Sequence, residues 1–259
     1  MRQSAWDLAG ECVDEAIATG ATPSLERLGR LGQLGSLPSF IAALSEEEDL
    51  TTLVDDYARE RESLGLAPSE IVAELLVVDR ILGRHEEEDA RTALERCVVF
   101  YVARVTGELA ERARRDPLTG LLNHRAFHAQ LQAEAVRARR YRGRIALVTF
   151  DLDDFKAIND KDGHLEGDRL LRAFAAALAG TVRETDFAAR TGGDEFAALL
   201  LEAGPGTVDT FRERLRERLP QGLGVSAGAA YLPGECPAAE QLLATADRRL
   251  YADKASKAA

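Results

Sequence analysis

The chain has 259 residues, of which 46% are apolar, and carries 44 acidic against 33 basic side chains, a net charge of −11. That length suggests one large or two ordinary domains with apolar material enough for their cores, and the acidity excludes a general nucleic-acid binder, which needs clustered basic charge. Cys12, Cys97 and Cys236 are too scattered for a disulfide framework or a CxxC metal site, and no apolar run approaches the ~18 residues of a membrane helix. Acids at Glu11, Asp14 and Glu15 interrupt any signal-peptide core, so the expectation is a cytoplasmic protein with isolated thiols and no membrane partner.

The charge is uneven along the chain. Residues 1–110 hold 22 acids against 10 arginines and no lysine, whereas 111–259 hold 22 acids against 23 bases. The first part reads as helical throughout. Leu50, Leu53, Val54 and Tyr57, then Ile71, Leu75, Val78 and Leu82, recur at helical spacing with charges between them. Ser45-Glu46 and Pro68-Ser69-Glu70 are the expected helix starts, with serine placed to cap free N–H groups and acids favoured in the first turn. Gly20, Gly32, Gly35 and Pro38 punctuate the stretch before them. His85 precedes the run Glu86-Glu87-Glu88-Asp89 and reads as a surface residue rather than a haem ligand.

A long helix is expected from Asp89 to Arg115. Leu94, Val98, Tyr101 and Val105 follow the four-three-four spacing of a coiled-coil seam, which Glu108 breaks, and self-association through this helix is expected. After Tyr141 the texture changes. A buried strand is predicted over 144–151, a helix over 165–178, two strands over 186–201 around the turn Thr191-Gly192-Gly193, a helix over 208–219, a strand over 223–232 and a helix over 238–254. The order βαββαβ predicts one sheet backed by helices, with a face or edge left for ligand.

Acids at the end of a buried strand need a reason. Asp151 and Asp153 follow Leu147-Val148-Thr149-Phe150, and Asp194-Glu195 follow the glycine turn. If the hairpin lies beside the first strand, these carboxylates converge, and converging carboxylates call for a cation such as Mg²⁺ with substrate phosphates. Phosphoryl or nucleotidyl transfer is the expected chemistry.

Residues 116–254 resemble a GGDEF domain, the family of diguanylate cyclases. Four blocks carry the resemblance: Asp116-Pro117-Leu118-Thr119-Gly120-Leu121-Leu122-Asn123, Phe150-Asp151-Leu152-Asp153-Asp154-Phe155-Lys156-Ala157-Ile158-Asn159-Asp160, Gly163-His164-Leu165-Glu166-Gly167-Asp168, and Arg190-Thr191-Gly192-Gly193-Asp194-Glu195-Phe196. The resemblance implies an α+β chain: a helical sensor or regulatory bundle (1–88), a connecting coiled-coil-like helix (89–115), whose spacing fits a helix of the bundle equally well, and a βαββαβ nucleotidyl-cyclase-like GGDEF domain (116–259). It implies Mg²⁺- or Mn²⁺-dependent condensation of two GTP into cyclic di-GMP, on two facing copies of the chain.

By the same resemblance Asp151, the Leu152 carbonyl, Asp194 and Glu195 hold the metal, and Asp194 and Glu195 are catalytic. Asn159, Asp168 and His164 read or line the guanine, since a carboxylate accepts from its N1–H and N2–H₂ edge. Phe155, Lys156, Gly192, Gly193 and Lys254 complete the substrate site, the glycines letting the nucleotide pass close to the backbone. Four residues after Lys254, where many members place an arginine, stands Ala258, and Lys257 is the neighbouring base. Arg183 and Asp186 match the RxxD site at which cyclic di-GMP inhibits, with Arg190 assigned to the same region. The signal for the N-terminal bundle is unnamed by the sequence, and a catalytically silent receptor for cyclic di-GMP or GTP is the alternative.

Overall fold

The computed structural model describes residues 4–46, 49–236 and 238–258. The chain divides into two compact units, Met1–Ala110 and Glu111–Ala259. Among the described residues of the first unit every regular element is helical: α1 (Ala5–Ala18), a 3-10 turn (Pro23–Arg27), α2 (Arg30–Leu34), α3 (Leu37–Ala43), α4 (Leu50–Ser63), α5 (Pro68–Arg84) and α6 (Glu88–Ala113), the last running on into the second unit. One helix start differs from expectation, and a second differs only in the residue that caps it. The start expected at Ser45-Glu46 lies instead at Leu50, where the Asp49 carboxylate accepts from the N–H groups of Thr51 and Thr52, each at 3.1 Å. Helix α5 does begin at Pro68, but its end is closed by Glu70, whose carboxylate accepts from the Ala67 N–H at 2.9 Å and ties in Ser24, rather than by Ser69.

The periodic residues build this unit's core, with Val54, Tyr57, Ile71, Leu75 and Val78 fully buried. At its centre Arg61 and Glu74 form a buried pair at 2.7 Å, joined by the Tyr57 hydroxyl, which donates to Glu74, and by the Leu34 carbonyl. His85 pairs with Glu11 at 3.1 Å. The expected coiled-coil seam is used differently: Leu94 and Tyr101 are fully buried in the bundle's own core, and Val98 and Val105 pack against it. A helix with one face consumed internally shows solvent its next face. Val99, Val102 and Leu109 are 66%, 39% and 57% exposed, and with Thr106 they repeat at three-four-three spacing.

The second unit contains α7 (His124–Tyr141), β1 (Ile145–Leu152), α8 (Phe155–Asp162), α9 (His164–Ala179), β2 (Phe187–Arg190), β3 (Glu195–Leu201), α10 (Pro205–Arg218), β4 (Val225–Leu232) and α11 (Ala239–Ala258). The sheet order is β2-β3-β1-β4 with every neighbouring pair antiparallel. Helices cover both faces rather than one. Val148, Phe150 and Phe196 face Phe174 and Phe211, while Leu147 and Leu199 face Phe127, Leu131 and Leu242. Strand β1 is therefore buried on both sides, which is why it reads as an unbroken apolar run. A sheet covered on both faces leaves its strand ends for ligand. Helix α11 lies tight on β4 at Gly228, where a Cβ would run into the Ala246 carbonyl and the Leu250 nitrogen. No described helix is long and apolar enough to cross a membrane.

Candidate active site

The acids gather at the end of the two central strands. In the β1–β3 register Asp151 stands opposite Glu195, and the Leu152 N–H donates to the Asp194 carbonyl at 3.2 Å. Directly paired residues of antiparallel strands point to the same side, so of the acids expected to converge the register brings Asp151 and Glu195 to one side. In the turn between β2 and β3 a Cβ at Gly192 would meet the Glu195 side chain, whose carboxylate can turn aside. Arg190 holds this turn from below. Its guanidinium donates twice to the Gly193 carbonyl, at 2.7 and 3.1 Å, and pairs with Asp116 at 3.2 Å. Burial works against the charge on Asp116, but hydrogen bonds from Thr119 and Arg190 outweigh it and hold the carboxyl below the usual carboxylate range.

Helix α11 supplies the cations. Lys254 Nζ donates to Asp151 Oδ1 at 2.7 Å, and this bond raises the lysine's pKa against an opposing effect of burial, with the charges of Asp194 and Asp153 adding to it. Lys257, one turn on, reaches Asp153 Oδ2 at 3.2 Å. Asp151 and Asp153 thus meet the same helix through different lysines.

No three His, Cys, Asp or Glu side chains among the described residues form a ready-made metal cage. Mg²⁺ does not require one, being held typically by one or two carboxylates with substrate phosphates. Asp151, paired with Glu195 across the strands and already holding an ammonium group, offers hard oxygen donors that fit such an ion.

The residues assigned to guanine lie on α8 and α9, linked through Gly163 at φ +86°. Gly167 is closed over by Asn159 and Phe155: a Cβ there would overlap Asn159 Oδ1 and touch the phenyl ring 3.1 Å away. Asp168, the next residue, is 41% exposed and is paired loosely with Arg172 at 3.7 Å. His164 and Lys156 are exposed.

Arg183 and Asp186 lie apart from this cluster. They line a cavity of about 280 Å³ with Thr181, Thr207, Thr210 and Arg214. Asp186 accepts from the N–H groups of Arg183 at 3.0 Å and Leu201 at 2.9 Å, which fixes its carboxylate in the wall. Arg190 does not line this cavity; its bonds to Asp116 and Gly193 make it the brace of the Gly192-Gly193 turn. Arg214 has no sequence signal of its own, because only the fold brings α10 over Arg183. A second cavity, of about 660 Å³, runs past Asp151, Glu195 and Lys254 and is also lined by His128, Thr149 and Asp247.

A family profile described as "Diguanylate cyclase, GGDEF domain" matches residues 113–259. Diguanylate cyclase DgcP of Pseudomonas aeruginosa is 38% identical over 154 residues, 56% of this chain, and the chain spans only 23% of that protein's length. The coiled coil and GGDEF domain of DgcB from Caulobacter crescentus, solved in complex with c-di-GMP, aligns over 65% of this chain and 94% of its own, with 29% identity and a TM-score of 0.59. Diguanylate cyclase SiaD from Pseudomonas aeruginosa, solved in complex with its activator SiaC, aligns over 85% of this chain and 95% of its own, with 28% identity and a TM-score of 0.53. With the profile covering more than half the chain and the acidic strand ends built as described, this chain belongs to the GGDEF family of diguanylate cyclases.

Proposed function

We propose that the chain condenses two GTP molecules into cyclic di-GMP with release of two pyrophosphates. The observation that carries this reading is the pairing of Asp151 with Glu195 at the strand ends, beside Asp194 and under Lys254. Asn159 and Asp168 take the guanine edge, with His164 at the rim; a site built to hydrogen-bond guanine N1–H rejects adenine, which has an acceptor there. The turn around Asp153 and Phe155, with Gly192, Gly193, Lys156 and Lys254, takes the phosphates. Asp151, the Leu152 carbonyl, Asp194 and Glu195 hold Mg²⁺ or Mn²⁺, which supplies charge stabilisation at phosphorus and a lowered hydroxyl pKa.

The 3′-hydroxyl of one GTP attacks the α-phosphate of the other. A 3′-O–P bond forms, the bond to pyrophosphate breaks, and the hydroxyl proton passes to the acidic pair Asp194 and Glu195. The reciprocal attack closes the ring, so two copies of the chain must face each other. The exposed stripe of Val99, Val102, Thr106 and Leu109 supports association of α6 with a second copy.

Arg183 and Asp186, with Arg214 in the same cavity, take cyclic di-GMP as a restraining product. The alignment with SiaD is too long to be confined to the GGDEF region, and SiaD's solved complex with an activator supports reading residues 1–88 as the regulatory part. The test is incubation of nucleotide-stripped protein with GTP and Mg²⁺, with products identified by mass spectrometry. Cyclic di-GMP from the wild type and none from Asp194→Ala is expected; GTP binding without turnover identifies a silent receptor instead.

A further inference from the structure

Lys257 occupies the helix end where a second phosphate-binding cation is expected, yet its ammonium is already spent. Nζ donates to the Val225 carbonyl at 2.6 Å, to Ser226 Oγ at 3.2 Å and to Asp153 Oδ2 at 3.2 Å, with Asp253 beside it at 3.4 Å. An ammonium has three protons, and all three have partners within the protein. Around Asp153 the bonding is equally complete. Its Oδ1 accepts from the buried Ser226 hydroxyl at 2.6 Å, and its N–H donates to the Gly224 carbonyl at 2.9 Å. Gly224 is glycine for a steric reason: a Cβ there would lie 2.9 Å from the Asp153 carboxylate. Asp253 closes the ring by accepting from the Ala227 N–H at 2.9 Å.

The next residue, Asp154, has φ +57° without being glycine. Such a conformation persists where its surroundings over-determine it. Its neighbour Asp153 is the residue that β4 and α11 grip. We propose that Lys257 and Ser226 are positioning residues, which fix Asp153 and so hold the turn from Leu152 to Phe155 in the shape that presents the N–H groups of Asp154 and Phe155 to the substrate's phosphates, those of Leu152 and Asp153 being bonded to Asp194 and Gly224. This rests on the reading of that turn as the phosphate subsite. It leaves Lys254 as the direct phosphate cation of α11 and gives Lys257 a role one step removed from substrate.

The test uses the full chain and measures, by calorimetry with Mg²⁺, affinity for an α,β-methylene analogue of GTP and for guanosine. Lys257→Met and Ser226→Ala should each weaken the triphosphate analogue about tenfold or more, because loss of preorganisation alone has that reach. Guanosine affinity should change less than about twofold, since α8 and α9 are untouched. Lys257→Arg should recover most of the loss, and the double variant should be no weaker than the worse single one, because both act through Asp153. Loss with Lys257→Met but none with Ser226→Ala makes Lys257 a direct phosphate ligand and overturns the proposal, as does equal loss for guanosine. Wild-type protein that binds neither probe refutes the substrate reading itself, a separate outcome.

Discussion

Replacing Lys254 with alanine should move metal and nucleotide affinity in opposite directions. The lysine side chain is 47% exposed and Asp151 is 13% exposed, with Nζ 2.7 Å from Oδ1. The hydrogen bond to Asp151 raises the lysine's pKa, so the ammonium stays charged through the neutral range and competes with a divalent cation for the same oxygen. Solvent screens a half-exposed pair, and the bond is worth at most about 1 kcal/mol. One kcal/mol corresponds to about fivefold in an equilibrium constant. Nucleotide-free Lys254→Ala should therefore bind Mn²⁺ about two- to fivefold more tightly than the wild type, read by electron paramagnetic resonance titration. The same variant should lose about tenfold or more in affinity for the GTP analogue, because a charge-assisted bond to phosphate disappears. General damage to the site would weaken both. Mn²⁺ affinity that falls or stays constant would refute the competition.

Three further outcomes follow from other parts of the chain. Arg61→Met leaves the buried Glu74 carboxyl without its countercharge at the centre of the helical unit and should cost about 3–5 kcal/mol; chemical denaturation showing a loss under about 1 kcal/mol contradicts a buried ionic pair there. Burial pushes the pKa of His128 below its ordinary 6.5, helped by the charge of His124, whose ring centroid is 4.2 Å away. The unfolded chain then takes up a proton that the folded imidazole refuses. Stability is unaffected at higher pH and falls as pH drops below about 6.5, and His128→Gln should flatten that limb of the melting-temperature profile; an unchanged profile counts against it. Leu109→Asp and Val102→Asp place a charge in the exposed stripe of α6 and should lower the solution mass by light scattering from dimer to monomer, whereas an unchanged mass would mean association occurs elsewhere.

Much of the second unit was legible because its strands are apolar runs closed by turn residues. β1, the β2–β3 hairpin and β4 fall where 144–151, 186–201 and 223–232 are apolar, and the acids stand at their ends. Helix α7 is less visible: its buried face is Phe127 and Leu131 with three alanines and Glu134, too small a contrast for hydropathy to register. α8 has no buried residue, so it carries no apolar signal at all. In α6 the heptad spacing was correct but ambiguous, since periodicity tells that a face is buried and not whether its cover is the chain's own bundle or a second copy. Arg190 shows the same limit for the site. The family resemblance assigns it to the region of Arg183, and only the tertiary contacts with Asp116, 74 residues away, show it bracing the turn. Lys257 is likewise only a neighbouring base in the sequence, and its bonds to Asp153, Val225 and Ser226, about 30 to 100 residues away, come from the fold.

The central claim concerns the reaction, and product stoichiometry tests it most directly. The chain cleared of bound nucleotide, given GTP and Mg²⁺, should yield cyclic di-GMP and pyrophosphate in a ratio of one to two, and ATP should yield no cyclic product. Asp194→Ala should yield none from GTP. Pyrophosphate without cyclic di-GMP, or no turnover of GTP that is demonstrably bound, would contradict the account.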